Sequence, residues 1–140
     1  NLFIKFLKSK KMNVPSKEKF LYFTEQAAGT DFDAANDLAC YPVSKLVGFT
    51  NPTTKTQLEL MFTPMLESTG GTNHDKVLLN ITENKHKEVI QAILNEIAFG
   101  NDTIIVIADN FAGEFLSIQP NAATPVAITS LQSITVTAVS

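Results

Sequence analysis

Arginine and tryptophan are absent from this chain, cysteine occurs once and histidine twice. Each scarcity excludes something. Without arginine there is no guanidinium fork, the group that phosphate and guanine recognition lean on, so all eleven basic residues are lysines. A lone Cys40 cannot close an internal disulfide, which fits a reducing compartment or one indifferent to redox. The two histidines, His74 and His86, lack the i, i+4 spacing that puts two imidazoles on one helical face, so the pattern implies no metal and no cofactor. Neither a phosphate-cradling glycine loop followed by lysine and serine or threonine nor a Gly-x-Ser-x-Gly elbow occurs.

The charge that is present is unevenly placed. Six lysines precede Phe20 against a single acid, Glu18, while the remaining residues carry five lysines and thirteen acids, a formal charge of −8. An acidic body without arginine argues against nucleic acid as a partner. Residues 1–11, NLFIKFLKSKK, differ from the rest in being apolar and basic. Translation is expected to start naturally at Met12, with residues 1–11 a non-native upstream extension or an arm, and residues 12–140 a single domain. The segment lacks the order of a secretory signal, and it is too short and too charged to span a bilayer. A membrane-surface anchor built on Leu2, Phe3, Ile4, Phe6 and Leu7 is the alternative, and one short arm is a marginal anchor.

What the sequence does have is a central strand–helix–strand pattern from Lys76 to Asp109. Val89, Ile90, Ile93, Leu94 and Ile97 make an apolar stripe at helical spacing, predicting a helix over about 83–99. Thr82 or Asn84 is the expected N-cap, and Gly100 the expected left-handed residue after the last turn. The flanking runs, Val77–Ile81 and Ile104–Ala108, read as strands. The second is unbroken in its apolarity and is expected to be central and covered on both faces. Such a unit usually closes as a right-handed parallel pair, although apolar runs do not specify strand direction.

Around it lie shorter strands: Phe20–Thr24, Leu46–Thr50, Thr56–Thr63, one through Phe115, Leu116 and Ile118, and two at the end, Val126–Thr129 and Ser133–Val139. In Thr56–Thr63, Leu58, Leu60 and Phe62 alternate with Gln57 and Glu59, as on a sheet with one wet face. Gln26–Leu38 reads as an acidic loop, Pro42 as a break, and Glu67–Asp75 with Gly70-Gly71 as a polar loop. The fold expected is α+β: a β-rich single domain of about six to eight short strands with one long amphipathic helix packed on a sheet.

Candidate chemistry is sparse. Asp31, Asp33 and Asp37 do not follow calcium-loop spacing, with Ala35 where a ligand belongs. Cys40 has neither base nor positive charge among its sequence neighbours and reads as a small buried hydrophobe. Asp109 and Asn110 follow the most apolar strand, where ligands gather in α/β sheets, and are the candidate binding residues. An acid there can equally form a turn.

Three segments carry a resemblance: MNVPSKEKFLYF (12–23), ACYPVSKLVGF (39–49) and TIIVIADNFAGEF (103–115). From Met12 to the C-terminus the chain resembles small uncharacterised proteins of marine T4-like cyanophages and related ocean metagenomic sequences. The resemblance implies a phage protein, located in the virion or the host cytoplasm, and transfers no site residues. With the threonine-rich acidic β body, it suggests a non-enzymatic accessory or virion-associated structural protein, acting as a homo-oligomer or with other phage structural proteins. A small-molecule or protein-binding module using the surface beyond Asp109 is the second expectation, and an enzyme with no recognisable motif the third.

Overall fold

The computed structural model describes residues 18–66 and 73–136. In chain order the elements are β1 (Phe20–Thr24), β2 (Leu38–Pro42), a single 3-10 turn (Val43–Lys45), β3 (Leu46–Thr50), β4 (Gln57–Phe62) and β5 (Asp75–Ile81). Helix α1 (His86–Phe99) follows, then β6 (Ile104–Asp109), β7 (Glu114–Phe115), β8 (Ser117–Gln119) and β9 (Val126–Thr135). The described residues are thus β-rich with one long helix, as expected of an α+β domain. The readings made of residues 1–11 and of Gly70-Gly71 lie outside the described residues, as does the end of the strand expected over Ser133–Val139.

The strands form two sheets. One has the order β2-β1-β6-β7 and the other β3-β4-β5-β9-β8. In the first, β1 runs antiparallel to β2 and parallel to β6. The second is antiparallel throughout. Their inner faces meet directly. Phe23 of β1 lies edge-on to Phe62 of β4, with ring centroids 5.8 Å apart, and Tyr41 of β2 stacks on the same ring at 4.1 Å. Such aromatic pairs contribute about 0.5–1.5 kcal/mol each beyond the area they bury. Leu58, Leu60, Val77, Leu79, Ile105 and Ile107 complete the centre of the core.

The alternation in β4 is realised: Leu58, Leu60 and Phe62 are buried, with Gln57, Glu59 and Met61 between them only partly so. The helical stripe is also used, but unequally. Val89 and Ile93 are fully buried, Ile90 and Ile97 pack at the margin, and Leu94 is exposed.

Several expectations need correction. The strands flanking α1 do not pair with one another: β5 belongs to the five-stranded sheet and β6 to the other, so the helix is a crossover between sheets. The parallel partner of β6 is β1, more than eighty positions earlier in the chain. β6 is interior but not covered on both faces, since Ile104 is exposed and Val106 half-buried. Neither Thr82 nor Asn84 caps the helix. The cap position is Lys85, without a side-chain cap bond, because the Thr82 hydroxyl accepts the Ala127 amide at 3.0 Å and Asn84 takes a left-handed turn at φ 61°. Gly100 is extended rather than left-handed. The ammonium of Lys19 donates to the carbonyls of Ile97 and Gly100, both at 2.7 Å, and satisfies the helix end in place of a left-handed residue. Glycine suits position 100 for another reason: a Cβ there would come within 2.5 Å of the Glu96 carbonyl oxygen.

The last two strands are one. β9 runs unbroken through Ser130–Gln132, absorbing two register slips against β5 as bulges. The segment from Phe115 to Ile118 is instead divided at Leu116, where the chain leaves one sheet for the other. β2 has no counterpart in the sequence reading. Pro42 is its final residue, and because β2 is an edge strand the missing amide costs little.

Candidate functional site

Three places gather polar or unpartnered groups, and the first is the pair singled out from sequence. At the carboxyl end of β6, Asp109 is almost wholly buried and its Oδ1 accepts the Ala112 amide at 3.0 Å, which closes a turn. Asn110 reaches further. Its Nδ2 donates to the carbonyls of Glu25 (3.0 Å) and Leu131 (2.8 Å), its Oδ1 accepts the Leu131 amide (3.0 Å), and its own amide donates to Thr24 (3.0 Å). One side chain therefore ties the ends of β1 and β6 to β9 in the opposite sheet. The next residue, Phe111, packs on Phe32 from the acidic loop, ring centroids 5.1 Å apart. In that loop Asp37, itself nearly buried, accepts the amides of Asp33 and Ala34. Thus Asp109, Asn110 and Asp37 are all engaged in building the fold.

The second place is a buried pair that the sequence reading missed. Tyr41 of β2 donates its phenolic hydrogen to Oδ2 of Asp75, at the start of β5, across 2.8 Å, and the Met65 amide donates to the same oxygen at 3.2 Å. Both residues are fully buried. Burial pushes the Tyr41 phenol well above its ordinary range, and the hydrogen bond to Asp75 and the charge of Asp75 push it the same way. The phenol therefore stays protonated and donates. A signal existed: Asp75 is in phase with Val77, Leu79 and Ile81, so it lies on the inward face of its strand.

The third place lies at the opposite end of β6. There β1 pairs along the whole strand on one side. On the other, β7 pairs only with Ala108 and Asp109, and the Leu116 amide reaches the Ile107 carbonyl at 3.0 Å. Beside Ile104, Ile105 and Val106 a groove of about 540 Å³ opens, bounded by α1 and by the segment Gly113–Ser117. It adjoins a second concavity of about 490 Å³ under the last turns of α1 and shares Glu96, Leu116 and Ser117 with it. Phe99 in its wall is 81% exposed and Ile104 55%. Among the described residues, the ionisable side chains lining the two are Glu96, Asp102 and Glu114, all acidic. No sequence motif marks this groove.

The remaining candidates have structural settings. His86 donates from Nε2 to the Gln57 carbonyl at 2.7 Å, holding the first turn of α1 against β4. Cys40 is half-buried beside Tyr22, and burial pushes its thiol up, away from thiolate chemistry. Among the described residues, no group of three or more histidine, cysteine or acidic side chains is placed to hold a metal ion, and no helix is long and apolar enough to cross a membrane. No family model matches the sequence, and neither a curated protein nor a solved structure matches it.

Proposed function

We propose that the protein is a non-enzymatic structural or accessory component that acts as an oligomer, of the kind its resemblance to marine cyanophage proteins suggests. The observation that supports this reading is the outer face of the β2-β1-β6 sheet. Leu21, Phe23, Ala39, Tyr41, Ile105 and Ile107 take the inner face. By strand alternation the opposite face presents Leu38, Cys40, Pro42, Phe20, Tyr22, Ile104 and Val106, with the fully buried Thr24 at its end. Apart from Thr24 none is fully buried, and none is a lysine or a carboxylic acid. An uncharged apolar sheet face, on an otherwise acidic domain, is suited to cover by another subunit.

Light scattering on the full chain tests this. The expected result is a defined oligomer, and Tyr22→Lys with Leu38→Lys is expected to shift it to the monomer while the circular dichroism spectrum is retained. Both positions lie away from the groove beside α1. A wild-type chain that is monomeric at micromolar concentration would overturn the proposal.

A further inference from the structure

The groove beside β6 has a second use that the sheet face does not explain. We propose that it binds an extended peptide segment of a partner protein, one that alternates apolar residues with lysine or arginine, added as a strand to the uncovered part of β6. Three observations carry this. First, β6 is paired along its length on the β1 side, but on the other side, among the described residues, β7 pairs only with Ala108 and Asp109, and Leu116 bonds to Ile107. The sheet therefore has an edge at Ile104–Val106, and an exposed edge is a template for a further strand. Second, that edge faces a groove rather than open solvent, with Phe115 and Leu116 in its lining to receive apolar side chains. Third, its charge is of one sign among the described residues: Glu96, Asp102 and Glu114 stand around it, and no described lining residue is basic. A strand entering here lies antiparallel to β6, in line with β7, and its alternate residues divide between the apolar lining and the carboxylates.

The same charges decide between occupants. Two copies of this chain meeting edge to edge at β6 would bring like carboxylates together, which opposes pairing. A basic segment turns those carboxylates into attraction, which steers association and fixes which partner is accepted. The peptide chemistry is thus set by the groove: backbone hydrogen bonds from β6, apolar contacts from Phe115 and Leu116, and selection for positive charge.

Fluorescence anisotropy of a labelled peptide alternating lysine and valine, titrated with the full chain, tests the inference. Saturable binding is expected, weakened by added salt, while a peptide alternating glutamate and valine does not bind. The double variant Asp102→Lys with Glu114→Lys changes two exposed side chains. It is expected to weaken binding about tenfold or more without changing the thermal midpoint. Hydrogen exchange on the unmodified chain is expected to show new protection at 104–106 when the lysine peptide is added. Equal binding of the two peptides, no saturable binding, or protection elsewhere would overturn the inference. So would protection of 104–106 already complete in the free chain, the result if another part of the chain or a second copy fills the edge.

Discussion

The two ends of β6 differ in how the molecule treats them. At the carboxyl end every neighbouring strand is fastened: Asn110 bonds to β9 and to the loop leaving β1, and Asp109 closes its own turn. On the other flank of the sandwich, the Tyr41–Asp75 hydrogen bond fastens β2 to β5. Beside Ile104–Val106, at the amino end of β6, the acidic groove opens, and the chain leaves β7 for the other sheet at Leu116, next to Ile107. Polar side chains thus join the sheets at Asn110 and at Tyr41–Asp75, while the groove beside α1 has no such tie among the described residues. In a parallel α/β sheet the carboxyl ends of strands are where ligands gather. Among the described residues only the β1–β6 pair is parallel, and its carboxyl end is the closed one.

The largest effect expected from breaking this contrast is at Asn110. Asn110→Ala removes three side-chain hydrogen bonds and leaves the Leu131 amide and the carbonyls of Glu25 and Leu131 without those partners. A loss of about 2–4 kcal/mol in urea unfolding is expected, since orphaned, partly buried groups carry the desolvation cost of each. A loss below about 0.5 kcal/mol, the usual range for a surface change, would mean that the carboxyl end is not a joint.

Tyr41→Phe comes next. It keeps the ring stacked on Phe62 and removes only the donor to Asp75, so a loss of about 1–3 kcal/mol is expected. The pH dependence supplies an independent readout. The phenol titrates higher in the folded chain than in the unfolded one. Its contribution is therefore fully present below the unfolded value of about 10 and declines as pH rises above it. Urea midpoints measured across that alkaline range are expected to fall for the wild type and to fall less for Tyr41→Phe. Parallel curves would remove the Tyr41–Asp75 bond from the fastened side of the comparison.

The same contrast marks what sequence reveals. Local periodicity was readable wherever one element set its own pattern: the α1 stripe, the alternation of β4, and the bounds of β1 and β3. What depends on a distant segment was not. Nothing in Ile104–Ala108 names Phe20–Thr24 as its parallel partner, because apolar runs pair with any strand whose edge is free. Lys19 ends α1 from far along the chain, so Gly100 is not needed in the left-handed conformation. β2 was hidden by Pro42, which reads as a break until the strand is known to lie at an edge. Asp109 and Asn110 stand out in the sequence at the end of an apolar strand, but their partners, Ala112, Glu25 and Leu131, decide what they do in the fold. The groove has no legible trace in the sequence, because it is made by the shortness of β7 and by a change of sheet.

The smallest effect is also the most pointed test of the closed end. Thr24 pairs with Asp109, is fully buried, and its Oγ1 has no hydrogen-bond partner among the described residues. Thr24→Val keeps the branched shape that suits a strand and removes a hydroxyl that is desolvated without compensation. Stability is expected to be unchanged or to rise by up to about 1 kcal/mol. A loss of that size instead would show that the hydroxyl is bonded in solution. The carboxyl end of β6 would then hold a polar contact, a bridging water among the simplest, and would be less completely closed by protein groups than the hydrogen bonds of Asn110 make it.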